Sequence, residues 1–164
     1  MKYKEFIKRL LNAMNALKGR DSFKIHGRMD FTMRHKDGSV SVFAKDNLIV
    51  DVGFDFITDV MGNPTQPSEM SHIEVGTGTT AADAADTALE TALLRKAATY
   101  FHTASTKVFT MTATFLAGEA TGALTEAGVF NNAVGGIMLD RVVFPVKNKA
   151  APDELTVKFT FTLS

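Results

Sequence analysis

The sequence predicts a mainly β protein: an antiparallel β-sandwich or partly closed barrel, with an N-terminal amphipathic helix and two short connecting helices. Three observations carry that prediction. The closing segment, 153–164, alternates strictly, with Leu155, Val157, Phe159, Phe161 and Leu163 on one face and Thr156, Lys158, Thr160 and Thr162 on the other. A period of two is the mark of a strand with one buried face. The same period runs from Phe23 to Arg34, and after a Lys36-Asp37-Gly38-Ser39 turn, whose Asp-Gly tolerates the positive φ of a hairpin, Val40 to Leu48 is expected to return as the partner strand. Finally, strands and helices do not alternate regularly enough for a parallel βαβ sheet.

The elements follow in order along the chain. Phe6, Leu10, Met14 and Leu17 recur at three- and four-residue steps, so residues 2–18 read as an amphipathic helix stopped by Gly19. An isolated helix of that length is marginal in water, so its stripe requires a partner surface in this chain or another. After the hairpin, Val52, Phe56, Ile57 and Val60 predict a short helix closed by Gly62, residues 63–68 a loop, and residues 71–76 a strand. Residues 77–85 are small and loop-like, and Asp86 is expected to cap a second short helix running to about Lys96. Strands then return around Phe109–Phe115, Ala127–Phe130, Ile137–Val146 and the closing segment. The organisation expected is a basic amphipathic helix or arm over 1–20 and a β-rich domain over 21–164.

Composition bounds the function. With no cysteine among 164 residues, disulfides, thiolate zinc sites and cysteine nucleophiles are excluded together. No apolar run approaches the ~20 residues of a bilayer-spanning helix, and charges interrupt the opening segment where a secretory signal would be apolar, so no membrane partner is expected. Net charge is zero but uneven: residues 1–20 hold six Lys or Arg against Glu5, +5 in all, which leaves the remainder at −5. The basic character is therefore local.

Candidate chemistry is sparse. Gly76-Thr77-Gly78-Thr79-Thr80 lies between a strand and an expected helix, but it lacks the lysine of a phosphate-binding loop and the third glycine of a dinucleotide fingerprint. It reads as a tight turn in which glycine supplies positive φ. His26, His35, His72 and His102 are isolated, without metal-site spacing. Asp51, Asp55 and Asp59, and likewise Asp83, Asp86 and Glu90, read as the wet faces and N-terminal charges of short helices. No nucleophile elbow exists, so no catalytic residue, cofactor or metal is predicted and the chain is expected not to be an enzyme. Lys2, Lys4, Lys8, Arg9, Lys18 and Arg20 could dress a phosphate backbone, but the helix offers few polar side chains for reading bases, and nucleic acid is not the expected partner. A partner interface is assigned instead to Phe6, Leu10, Met14 and Leu17, with Lys8 and Arg9 beside them.

Four segments carry a family resemblance. They are Lys45-Asp46-Asn47-Leu48-Ile49-Val50 with Gly53; residues 72–81, HIEVGTGTTA, followed by Asp86-Thr87-Ala88-Leu89; residues 119–131, EATGALTEAGVFN; and Arg141-Val142-Val143-Phe144. In this order and spacing they resemble a group of small structural proteins of tailed-bacteriophage particles, tail-fibre-like or decoration-type, over roughly residues 45–164. The resemblance implies a virion component made in the host cytoplasm. The leading expectation is a capsid decoration, or cement, protein: a compact β domain, a homo-oligomer of trimer type, clamping the phage major capsid protein through oligomeric contacts and an N-terminal arm. A tail, baseplate or neck component is the alternative, and a DNA-binding regulator using the basic helix a remote one. In this reading residues 1–20 are the attachment element, against the competing view that they pack on their own domain as a lid.

Overall fold

A computed structural model describes residues 23–164. The segment expected to be an N-terminal helix, and with it the interface assigned to Phe6, Lys8, Arg9, Leu10, Met14 and Leu17, lies outside the described residues. Within them the chain forms β1 (Ile25–Arg34), β2 (Val40–Ile49), α1 (Asp51–Gly62), β3 (His72–Gly76), β4 (Ala92–Ala97), β5 (Thr99–His102), β6 (Val108–Phe115), β7 (Gly122–Phe130), β8 (Met138–Lys149) and β9 (Glu154–Leu163). All pairings are antiparallel, in one sheet ordered β4-β3-β7-β8-β2-β1-β9-β6-β5. The mainly β expectation holds.

The sheet curls into a nearly closed barrel at two corners. At one, β2 meets β8 through only two residue pairs, Leu48↔Arg141 and Ile49↔Asp140, while the rest of β2 pairs with β1. At the other, the two end strands of the sheet, β4 and β5, are consecutive in the chain, separated by Ala98 alone, whose N–H donates to the Ser71 carbonyl at 2.8 Å. The strands thereby wrap two layers around one core, without a long crossover.

One layer is β1, β9 and β6, with Phe31, Met111, Phe115, Phe159 and Phe161 inward; the other is β3, β7 and β8, supplying Ile73, Val75, Leu124, Val129, Val142 and Phe144. Rings meet across the layers, Phe31 lying 5.8 Å from Phe144 between centroids. The β1–β2 turn forms as its residues predict: Gly38 takes φ +85°, and the Asp37 carboxylate accepts from the Ser39 N–H at 2.9 Å and hydroxyl at 2.6 Å.

Helix α1 forms where expected, with Asp51, Asp55 and Asp59 on its exposed side and Phe56 buried. Gly53 sets its height above the sheet, because a Cβ there would collide with the Leu139 carbonyl of β8. The second expected helix, from Asp86 to Lys96, does not form. Residues 77–91 are an irregular loop, and residues 92–97 are strand β4, paired with β3. The loop's amides find acceptors in carboxylates instead of in a helix's own carbonyls, and that diverts the backbone.

Candidate functional site

Strand β7 is buried on both of its faces, and this sets up the most unusual region of the molecule. One face looks into the barrel; loop 77–91 covers the other. On the covered face stand Glu126 of β7 and Arg141 of β8; Arg141 pairs across the strands with Gly128 and Glu126 with Val143, and a Cβ on Gly128 would stand 2.6 Å from the Asp140 carbonyl oxygen. Glu126 is fully buried and Arg141 is 2% exposed.

Both carboxylate oxygens of Glu126 are saturated. Oε1 accepts from the N–H groups of Gly78 (2.9 Å) and Thr91 (2.7 Å); Oε2 accepts from the Glu90 N–H (3.0 Å) and from Nε and Nη2 of Arg141 (3.0 and 2.8 Å). Arg141 in turn donates from Nη1 to Asp86 (2.7 Å) and from Nη2 to the Thr80 carbonyl (3.2 Å). Glu90 closes the circuit from the rim, accepting from the Thr79 and Thr80 N–H groups and the Thr80 hydroxyl at 2.7–2.8 Å. Charge-assisted bonds of this kind are the strong ones, and together they staple the loop to the sheet at both of its ends.

The titration behaviour fits that geometry. Burial would raise Asp86, but the Asp83 N–H and Arg141 outweigh it and hold the carboxyl below its ordinary value; the Thr80 bonds likewise hold Glu90 low. Burial works against the Arg141 charge as well, yet Asp86 and Glu126 more than compensate, and the guanidinium is held more firmly protonated than usual. Asp140, next in sequence, is different. It is fully buried at the β2–β8 corner with only neutral donors, Asn47 and the Val129 N–H, and burial pushes it up to about 8.

These facts correct two sequence expectations. Asp86 and Glu90 are not the wet face of a helix but anchors of the ionic knot. Gly76 and Gly78 do not adopt positive φ; a Cβ on Gly78 would stand 2.5 Å from Glu126 Oε1, so glycine serves close approach of backbone to carboxylate. Sequence reasoning missed Glu126, Asp140 and Arg141 as participants. The signal was present: an acid inside LTEAGVF and an acid–base pair inside IMLDRVVF, each within an otherwise apolar strand.

The knot's chemistry is structural positioning, since its carboxylate and guanidinium are sealed and already bonded. A second pair repeats the pattern at the barrel end: Arg95 donates to Glu74 at 2.9 Å and to the Asn132 and Gly135 carbonyls, with its guanidinium 3.6 Å from the centroid of the Phe130 ring. The four histidines are not brought together. His26 lies beside Asp46, His35 bridges Ser41 and Asp153, His72 meets Ser71, and His102 contacts the Val108 carbonyl.

Apolar surface is concentrated elsewhere. Tyr100 and Phe101 of β5 are 56% and 63% exposed, and Val42 of β2 is 76% exposed. Of the residues in the four resembling segments, Gly78, Thr79, Thr80, Asp86, Glu126 and Arg141 take part in the knot, whereas His72 meets Ser71, Glu119 bonds Lys96, and Ile73, Leu124 and Phe144 belong to the barrel core. No family model, curated protein or solved structure matches the chain.

Proposed function

We propose that this chain is a non-enzymatic structural protein of a tailed-phage particle, and specifically a capsid decoration protein that clamps the coat lattice through homo-oligomeric contacts and its N-terminal segment. The observation that carries the reading is the place of the resembling residues. Those of them in the knot, Gly78, Thr80, Asp86, Glu126 and Arg141, hold a loop onto a sheet, which suits a motif that specifies a scaffold. Exposed apolar side chains on β5 and β2, such as Tyr100, Phe101 and Val42, offer surface that assembly would cover. The basic N-terminal segment, +5 over twenty residues, supplies a further contact of opposite sign to the rest of the chain. Quantitative mass spectrometry of purified particles tests the proposal by copy number. Hundreds of copies per particle are expected; three, six or twelve would move the protein to the tail, baseplate or neck, and absence from particles would sink the virion reading.

A further inference from the structure

His35 stands in a polar relay of its own, away from the knot. It follows β1 at the hairpin, and Ser41 lies in β2 opposite the buried Met33, so both sit at one end of the barrel. The Ser41 hydroxyl is 2.8 Å from Nε2 of His35, and Nδ1 of the same ring is 3.3 Å from Oδ2 of Asp153 in the β8–β9 turn. Asp153 is buried, His35 half-buried and Ser41 exposed. The Ala150 N–H donates to the same Asp153 oxygen at 3.0 Å; that bond first, and His35 after it, outweigh burial and hold the carboxyl below its ordinary value. An ionised carboxylate beside Nδ1 keeps a proton on that nitrogen and leaves Nε2 to accept from the serine. Ser41 and His35 line a cleft of about 190 Å³ together with Phe31, Met33, Phe43 and Val146. A backbone donor is at hand as well. The His35 N–H donates to the Ser39 carbonyl at 2.9 Å, and hydrogen-bonded pairs alternate along an antiparallel ladder, so Met33 and Ser41 form the next one and Val42 turns its N–H to the other edge of β2. Among the described residues β8 pairs with that edge only at Leu48 and Ile49.

We propose that Ser41 is a covalent acyl-acceptor site, which takes an acyl group with a short apolar chain from an activated ester. A serine hydroxyl is a weak nucleophile alone; an imidazole within hydrogen-bond reach, itself oriented by a carboxylate, activates it. Oγ of Ser41 bonds to the ester's carbonyl carbon while Nε2 of His35 takes the hydroxyl proton. The bond from that carbon to the leaving alcohol's oxygen then breaks, the imidazolium returns its proton to the alcohol, and Ser41 remains as an ester beside a neutral His35. The Val42 N–H supplies a donor for the oxyanion of the tetrahedral intermediate, and the apolar wall of the cleft takes the acyl chain. Asp153 touches neither reactant and acts as a positioning residue. One acylation per chain is a modification and not turnover, so the inference goes beyond the structural reading without depending on it.

With no cysteine to compete for the acyl group, p-nitrophenyl butyrate tests the proposal directly on the full chain. One equivalent of p-nitrophenolate per chain is expected, with the butyryl group located on Ser41 by peptide mass spectrometry. Ser41→Ala, which removes only an exposed hydroxyl, should abolish that product. His35→Gln should slow its formation by about 100-fold or more. Asp153→Asn should lower the saturating rate while leaving the half-saturating ester concentration nearly unchanged, a split that partial unfolding would not produce. Should His35→Gln fail to fold, His35→Asn serves in its place. Butyryl groups found on lysines alone, or a Ser41 acylation rate untouched by the His35 variant, would overturn the proposal. Release far beyond one equivalent, lost in Ser41→Ala, would uphold Ser41 as the nucleophile and overturn the non-enzymatic reading instead, and neither result bears on copy number in particles.

Discussion

The two layers of the barrel share one apolar core but are organised on different terms. In the β1-β9-β6 layer each strand has a core face and a wet face, so Phe159 and Phe161 face inward while Lys158 and Thr162 face solvent. Side-chain burial alone fixes its register, because a one-residue slip would turn the core outward. In the β3-β7-β8 layer β7 is covered on both faces, so hydrophobic alternation no longer distinguishes them. There the polar groups choose: Glu126 and Arg141 are satisfied in one arrangement, and any slip strands a buried charge. One layer is specified by pattern and the other by partnership.

The sharpest way to break that contrast is to remove one anchor from each layer. Phe159→Ala should cost about 3–5 kcal/mol through transfer and cavity terms. Glu126→Leu should cost a similar amount, about 3–5 kcal/mol, because it removes the fully buried partner of Arg141, leaving Asp86 and the Thr80 carbonyl, and strips three loop amides of their acceptor. The two losses should differ in location. Hydrogen exchange at Gly78, Glu90 and Thr91 should accelerate in Glu126→Leu by local opening, whereas in Phe159→Ala those amides should respond only through global unfolding. Arg141→Met should be milder, about 1.5–3 kcal/mol, since Glu126 keeps its three amide donors. Combining it with Glu126→Leu should recover little stability. A double variant as stable as the native chain would mean that the knot is only an ion pair and that the loop amides do not matter.

The same contrast explains what the sequence could and could not tell. β1 and β9 were legible because one buried face imprints a period of two, and β2, mostly exposed, was legible through the Asp-Gly turn that returns the chain beside β1. The Asp86–Lys96 segment misled because Asp86, Leu89, Leu93 and Leu94 imitate a capped amphipathic helix. In the fold Leu89 packs on Phe130 and Met138 outside the barrel, Leu94 belongs to a strand, and Asp86 serves an arginine 55 residues away. Spacing along the chain cannot reveal a partner at that distance. The knot was visible only as charged residues inside apolar strands, which shows that a charge must be compensated but not by what. Strand β5 escaped notice because its four residues are exposed and follow β4 after a single alanine.

Asp140 gives a smaller effect that separates a compensated buried acid from an uncompensated one. Its carboxyl titrates at about 8 in the fold, against an ordinary value of 3.8. Between those values the native state holds a proton that the unfolded chain releases, so stability falls as pH rises through that window and levels off above about 8. Each pH unit removes up to about 1.4 kcal/mol. Held low in the fold, Asp86 and Glu90 act with the opposite sign: their contribution is present above the ordinary carboxylate range and is lost as pH falls through it. Denaturant titrations at pH 5, 6.5 and 8 should therefore show the native chain most stable at pH 5. Asp140→Asn should flatten the profile over this range. A native profile already flat there would mean that Asp140 is ionised in the fold.

The smallest effect concerns an ion pair on the same strand layer that lacks the knot's enclosure. Lys96 of β4 bonds Glu119, whose carboxylate also accepts from the Leu116 N–H at 2.8 Å within the β6–β7 connection. Both side chains are about one-third exposed, so water and counterions compete for them throughout. Two long side chains also lose rotamer freedom on pairing, which offsets much of the attraction. Lys96→Ala should therefore shift the melting temperature only slightly at low ionic strength, and the shift should vanish near 1 M salt, where the screening length is about 3 Å. Glu119→Ala should cost more than Lys96→Ala at either ionic strength, because it also deprives the Leu116 N–H of its acceptor. Partnership specifies structure only where water is shut out, so a Lys96→Ala loss that matched Arg141→Met and persisted in salt would contradict the distinction between the rim and the knot.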